Sequence, residues 1–225
     1  MPLSLGFEYT IKRAHRKTLG LYVKNGQVEV RTPHSVNHAD IHRWVAEKAG
    51  WVKQRLHEQQ QQAEEKPRIS HGGHLLFLGK PRTLQMIPGK PGIQERNSFI
   101  EISHYANTNI HTLIETWLKE EARLYLDERI ADIAMQMAET HRIRNIQLRK
   151  TRSKWGHCTS QGVLQFNWLI IMAPPDVIDY LIIHEISHLQ HMNHSRAFWE
   201  RVAAFCPDYQ NRRRWLKDNG HRLWL

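Results

Sequence analysis

The chain has 225 residues, 40% of them hydrophobic, with 32 Lys and Arg against 22 Asp and Glu, a formal charge of +10 and a pI near 9.8. Two cysteines, Cys158 and Cys206, exclude a disulfide scaffold, and the longest apolar run, residues 168–175, is far too short to span a bilayer. The charge favours an anionic partner or substrate (nucleic acid, nucleotide or an acidic surface) or a merely basic soluble protein, and composition does not separate these.

Residues 1–8 lack a basic start followed by an apolar run, so no signal peptide is expected. A soluble, cytoplasmic chain without membrane association follows as the expectation. Residues 7–12 alternate as a strand does, residues 19–23 and 28–31 follow, and Asn25-Gly26 between them is a hairpin signal. Asp40 is placed to cap a helix carrying Ile41, Trp44, Val45, Trp51, Val52 and Leu56 at helical spacing. That helix runs into the glutamines 59–62, a solvated tail stopped by Pro67. Strands are expected at 75–78, 83–87 and 99–102, with Gly and Pro filling 88–92. A long helix then starts near Thr108, its apolar face marked by Ile110, Leu113, Ile114, Trp117, Leu118, Ile130 and Ile133.

Two further strands, 143–152 and 163–171, flank a polar loop containing Trp155-Gly156. Pro174-Pro175-Asp176 opens a largely buried helix, a short helix begins at Ser195, and the tail from Pro207 is aromatic and basic. The chain shows no internal repeat. An α+β fold is expected, with a strand-rich N-terminal part (1–105) followed by a second part (106–225) that holds the long helix, a small sheet and a motif helix. No clear linker marks the boundary.

His184-Glu185-Ile186-Ser187-His188 reads H-E-x-x-H. On a helix the two imidazoles lie on one face and can reach one zinc ion, while the glutamate between them can take a proton from an activated water. His194 follows ten residues after His184, the spacing of H-E-x-x-H-x-x-G-x-x-H zinc hydrolases, with His191 in the glycine position. Met192-Asn193 is expected to make the turn, because Asn tolerates left-handed geometry. His191 is the competing third ligand, and His194 is preferred because a catalytic third ligand arrives from beyond the helix. Burying His184, Glu185 and His188 without a partner would be costly, and a metal ion satisfies all three. Cys158 and Cys206 read as small core residues.

The stretch from about 146 to 209 resembles the YgjP-like metallopeptidase family of small zincin-like proteins. The ordered pieces are Arg152-Ser153-Lys154-Trp155-Gly156-His157-Cys158, Gly162, Asn167, Pro174, Ile178-Asp179-Tyr180, the H-E-x-x-H segment with Leu189, Asn193-His194-Ser195, Phe198-Trp199 and Pro207-Asp208-Tyr209. The beginning of the chain, with Trp51 late in its helix, also looks like the family's N-terminal part. The resemblance implies a zincin-like catalytic part with one zinc ion on His184, His188 and His194 and with Glu185 as general base. Lys154 and His157 depart from the Arg and Ser that usually flank the family's Trp-Gly, and Lys lacks the bidentate fork of Arg.

The leading expectation is a zinc metallopeptidase acting on peptides. The alternatives are a nucleotide pyrophosphatase using the same metal, and a nucleic-acid-associated protease or a DNA-binding module with a structural zinc. Residues 140–225 hold 13 Lys and Arg against 6 Asp and Glu, with Arg149, Lys150, Arg152 and Lys154 leading into the Trp-Gly loop. Candidate substrate contacts are Arg152, Lys154, His157 and Tyr209, and among these His157, Tyr209 and Arg152 are candidates to stabilise an oxyanion.

Overall fold

The structure, a computed structural model, describes residues 5–225; residues 1–4, part of the opening segment read above for a signal peptide, lie outside it. The described chain is α+β, with six α-helices and three small sheets. It divides into two compact units, one ending at Glu65 and the other running Lys66–Leu225.

In the first unit β1 (Thr10–Arg13), β2 (Gly20–Lys24) and β3 (Gln27–Thr32) form a sheet of order β1-β3-β2. The β2–β3 hairpin turns at Asn25 and Gly26, both at positive φ (51° and 73°), as the Asn-Gly signal predicts. The helix expected from Asp40 is two helices, α1 (His38–Glu47) and α2 (Ala49–Glu64), because Lys48 leaves helical geometry at φ −99° and ψ 4°. The cap is Asn37, whose side chain accepts from the Asp40 amide at 2.8 Å. Leu5, Val30, Ile41 and Val45 form this unit's own small core.

The second unit opens with β4 (His74–Phe77), β5 (Lys80–Pro88), β6 (Gly92–Glu95) and β7 (Phe99–His104), in the order β4-β5-β7-β6. The long helix α3 (Ile110–Gln136) is capped by Asn109, which accepts from the Thr112 amide at 3.1 Å. Leu84, Ile100 and Ile102 of the sheet share one apolar cluster with Ile114, Leu118 and Leu126 of α3. The division expected near 105 therefore falls inside a continuous core, and the observed one falls where α2 ends.

A second sheet, order β8-β10-β9, combines β8 (Asn145–Arg149), β9 (Gly156–Cys158) and β10 (Val163–Asn167). The segment read as a polar loop thus contains a short strand, antiparallel to β10. The strand expected over 163–171 stops at Asn167, whose side chain accepts from the Leu169 amide at 3.1 Å and turns the chain into a 3-10 helix, Trp168–Met172. All five residues of that turn are buried, which shows why a short apolar run is a poor guide to strand or helix.

The motif helix α4 (Pro175–Ser187) starts with proline in its first turn and is buried over most of its length. Arg129 of α3 fixes it in place by donating to both Asp179 carboxylate oxygens at 3.0 and 2.8 Å. Helices α5 (Arg196–Phe205) and α6 (Tyr209–Asn219) follow. No described helix is long and apolar enough to cross a membrane.

Candidate metal centre

His184 and Glu185 lie in the last turn of α4, and His188 is its C-terminal cap residue. Beyond it the chain tightens: Leu189 N bonds Ile186 O at 3.0 Å, Gln190 N bonds Ser187 O at 3.2 Å and His191 N bonds Ser187 O at 3.1 Å. It then doubles back to His194, one residue before Ser195, the cap of α5. The expected left-handed turn at Met192-Asn193 does not form, since the described non-glycine residues at positive φ are Asn25, Leu78 and Ala138. The overlapping bonds at 189–191 make the reversal instead, so no glycine is required where His191 stands.

The candidate ligand atoms of His184, His188 and His194 all lie within 4.8 Å of one another. Nε2 of His184 and Nε2 of His194 are 3.2 Å apart. Two nitrogens bound tetrahedrally at about 2.0–2.1 Å would be separated by about 3.3–3.4 Å. His191 contributes its carbonyl, 3.0 Å from Nδ1 of His188; that bond makes Nδ1 the donor and leaves Nε2 with its lone pair. Burial, followed by the neighbouring His188 and His194 rings, lowers the His184 pKa to about 3, and burial is also the main cause lowering that of His188. Neutral imidazoles whose lone pairs converge fit a divalent cation.

An aromatic layer holds the rings. His188 stacks on Phe198 at a centroid distance of 4.5 Å, His194 on Trp199 at 5.6 Å and Trp199 on Tyr209 at 5.2 Å. Behind the loop lies Glu139, a carboxylate only 1% exposed. It accepts from Gln190 and, at 2.7 Å, from Arg201 of α5. Arg142 pairs with it at 3.3 Å and donates to the Leu189 carbonyl at 3.0 Å. The segment that returns His194 is therefore tied at its start and, through α5, beyond its end.

Glu185 is 4% exposed. Burial pushes its carboxyl up to about 8, against the pull of Lys154. Gly156 passes so close that a Cβ there would lie 2.3 Å from Glu185 Oε1. The cleft has two limbs that share Lys154, Gly156, His184 and Glu185. One, of about 280 Å³, adds His157, Cys158, His188, Met192 and His194. The other, of about 320 Å³, adds Trp155, Tyr180, Leu181, Arg213, Leu216 and Lys217.

The four expected substrate contacts separate into two pairs. Lys154 and His157 line the cleft, whereas Arg152 lines neither limb and Tyr209 supports Trp199 from behind. Cys158 is buried and its thiol is pushed up to about 12, mainly by burial, which argues against its serving as a thiolate ligand. Trp215 and Trp224 of the tail pack against the core rather than standing free to stack on bases. Tyr180, Arg213, Lys217 and Glu139 were not among the expected site residues, although Tyr180 stands in the family motif and Arg213 and Lys217 in the basic tail. Tyr180 sits four residues before His184, so helical spacing could have found it; Glu139 has no local signal.

Three imidazoles converging beside a buried carboxylate make up the side-chain set of a metal-dependent hydrolase. The chain belongs to the YgjP-like family, since the family described as YgjP-like, metallopeptidase domain matches residues 17–219. Among solved structures it is similar to the metallopeptidase zymogen of Pyrococcus abyssi abylysin, at 15% identity over 41% of this chain and 93% of that chain, with a TM-score of 0.35. No curated protein matches it.

Proposed function

We propose that the protein is a zinc-dependent peptidase, with one zinc ion per chain on His184, His188 and His194 and with Glu185 as general base. The observation that carries this reading is the convergence of three imidazoles within 4.8 Å, beside a buried carboxylate that lines the same cleft.

A zinc ion held there supplies Lewis acidity, polarising a peptide carbonyl and bringing the pKa of a water to about 7. With a cation on the imidazoles favouring its ionised form over the raised value that burial alone gives, Glu185 would take the proton of the attacking water at its carboxylate and return it to the leaving amine nitrogen. Among the described residues β9 is paired on one side only, with β10. The β9 residues Gly156, His157 and Cys158 line the cleft, and on this reading an extended peptide adds to the strand's unpaired edge, with main-chain hydrogen bonds aligning the scissile bond beside Glu185. His157 on that strand and Tyr180 on α4 are the groups available to an oxyanion.

The same chemistry can attack phosphorus. Among the described residues, however, the imidazole trio is the one cluster suited to a metal, with no carboxylate group for a second ion. Phosphoryl chemistry commonly uses two ions, so the carbonyl reading is preferred.

Glu185→Gln tests the proposal. The variant should keep its zinc and its fold and lose activity on a peptide library by about 10²–10⁴-fold. Full activity with zinc in place would remove Glu185 from the mechanism, and loss of zinc would make it a ligand.

A further inference from the structure

The two limbs of the cleft differ in charge. The limb beside His157 and Met192 has no cation beyond the shared Lys154, apart from its histidines. The limb beside Tyr180 adds Arg213 and Lys217, and the only carboxylate in either lining is Glu185. Arg213 and Lys217 are four residues apart on α6, one turn of one face. Their neighbour Arg212 is neutralised twice, by Asp176 at 2.8 Å and Asp208 at 3.1 Å. Neither Arg213 nor Lys217 forms an ion pair among the described residues. Arg212, which lies outside the lining, is thus compensated, whereas Arg213 and Lys217, which line the limb, are not.

Arg213 is also held in place. Its guanidinium lies over the Trp199 ring, 5.0 Å from the centroid, and that ring stacks on His194. The cation is fixed relative to the imidazole trio without losing its hydrogen-bond donors to a carboxylate. Trp155, Leu181 and Leu216 give the limb apolar walls, with the exposed Arg213 and Lys217 side chains at its solvent side.

We propose that this limb is a subsite for an anionic oxygen group of the substrate, one or two residues from the scissile bond. On the peptidase reading, on which this inference rests, the group is the carboxylate of an Asp or Glu side chain or of a peptide C-terminus. Arg213 and Lys217 are then its specificity-determining residues. A nucleotide phosphate offers the same chemistry from another source.

The test uses matched fluorogenic peptides with Glu, Gln or Lys placed at each position around the cleaved bond. The zinc-loaded protein should prefer Glu over Gln about tenfold at one position, disfavour Lys there, and lose part of the preference in high salt. In Arg213→Met/Lys217→Met, where the Met stem still covers Trp199, the Glu/Gln ratio should fall towards one; Lys217→Met alone should remove part of it. Binding of the same labelled peptides to Glu185→Gln protein, read by fluorescence anisotropy without turnover, should show the same ratio and the same loss. Cleavage with no Glu preference at any position, or a preference that survives the double substitution, would overturn the subsite and leave the peptidase reading standing. A nucleoside triphosphate that is hydrolysed and bound through Arg213 and Lys217, with no peptide cut, would keep the subsite and overturn that reading.

Discussion

The two walls of the cleft are built by different means. On one, the end of α4 and the turn that leads into α5 carry His184, His188 and His194 in a layer of stacked rings, backed by the buried Glu139 network. On the other, residues 151–158 present exposed Lys154 and His157 from a segment pinned through its backbone. Asn167 donates from its amide to Thr151 O at 3.0 Å and its backbone N–H bonds Trp155 O at 2.7 Å, while the Thr151 hydroxyl bonds Lys154 O at 2.7 Å. The first wall fixes its functional atoms by packing, so changes there should register in metal affinity and stability together. The second fixes only the chain and leaves its side chains free, so changes there should alter what binds more than whether the protein folds. Glu185 stands at the seam, carried by the first wall and given room by a glycine of the second.

That seam is where a single substitution should do most. Gly156→Val puts side-chain carbon where Glu185 Oε1 and Cδ now lie, 2.3 and 2.7 Å from the new Cβ. The carboxylate must move by about an ångström, which can cost about 10²-fold in rate. Peptide turnover should fall by about that factor while zinc content stays at the wild-type level. Unchanged turnover would show that the second wall moves aside, and loss of zinc would show that the two walls are not independent.

A smaller effect is expected at the back of the first wall. Glu139→Gln keeps the size of a buried side chain but removes the charge that Arg201 and Arg142 meet. Zinc affinity, measured by chelator competition, should fall by about tenfold, in the range found for groups that orient metal ligands. Stability should fall by about 1–3 kcal/mol, the cost of leaving buried charge partners poorly met. A stability loss with unchanged zinc affinity would reduce Glu139 to a fold residue and weaken the contrast between the walls.

How much of this could be read from the sequence follows the same division. His184, Glu185, His188 and His194 were legible because helical spacing and a ten-residue return are local patterns, and local patterns survive in one dimension. The reversal at 189–191 was not, since it rests on backbone bonds that any residues can make. Nor was Glu139, whose partner Gln190 is 51 residues away. Strand β9 is three residues long, too short to show an alternation. The unit boundary at Glu65 had its signal in Pro67, but the absence of a flexible linker hid it, and the strands of 74–104 seemed to belong with the earlier ones until their shared core with α3 was visible. The break at Lys48 divides one apolar face that reads as continuous in sequence.

On the proposed reading three imidazoles, and no sulfur, hold the metal. Zinc K-edge X-ray absorption of the protein purified without added metal, with the zinc content of His194→Ala and His191→Ala measured alongside, tests it most directly. About one zinc per chain is predicted, with nitrogen or oxygen ligands at about 2.0–2.1 Å and an imidazole scattering pattern. Occupancy should fall sharply in His194→Ala and stay near wild type in His191→Ala, where only a carbonyl is used. A sulfur shell at about 2.3 Å, which would bring in Cys158, or zinc lost in His191→Ala and kept in His194→Ala, would contradict the account.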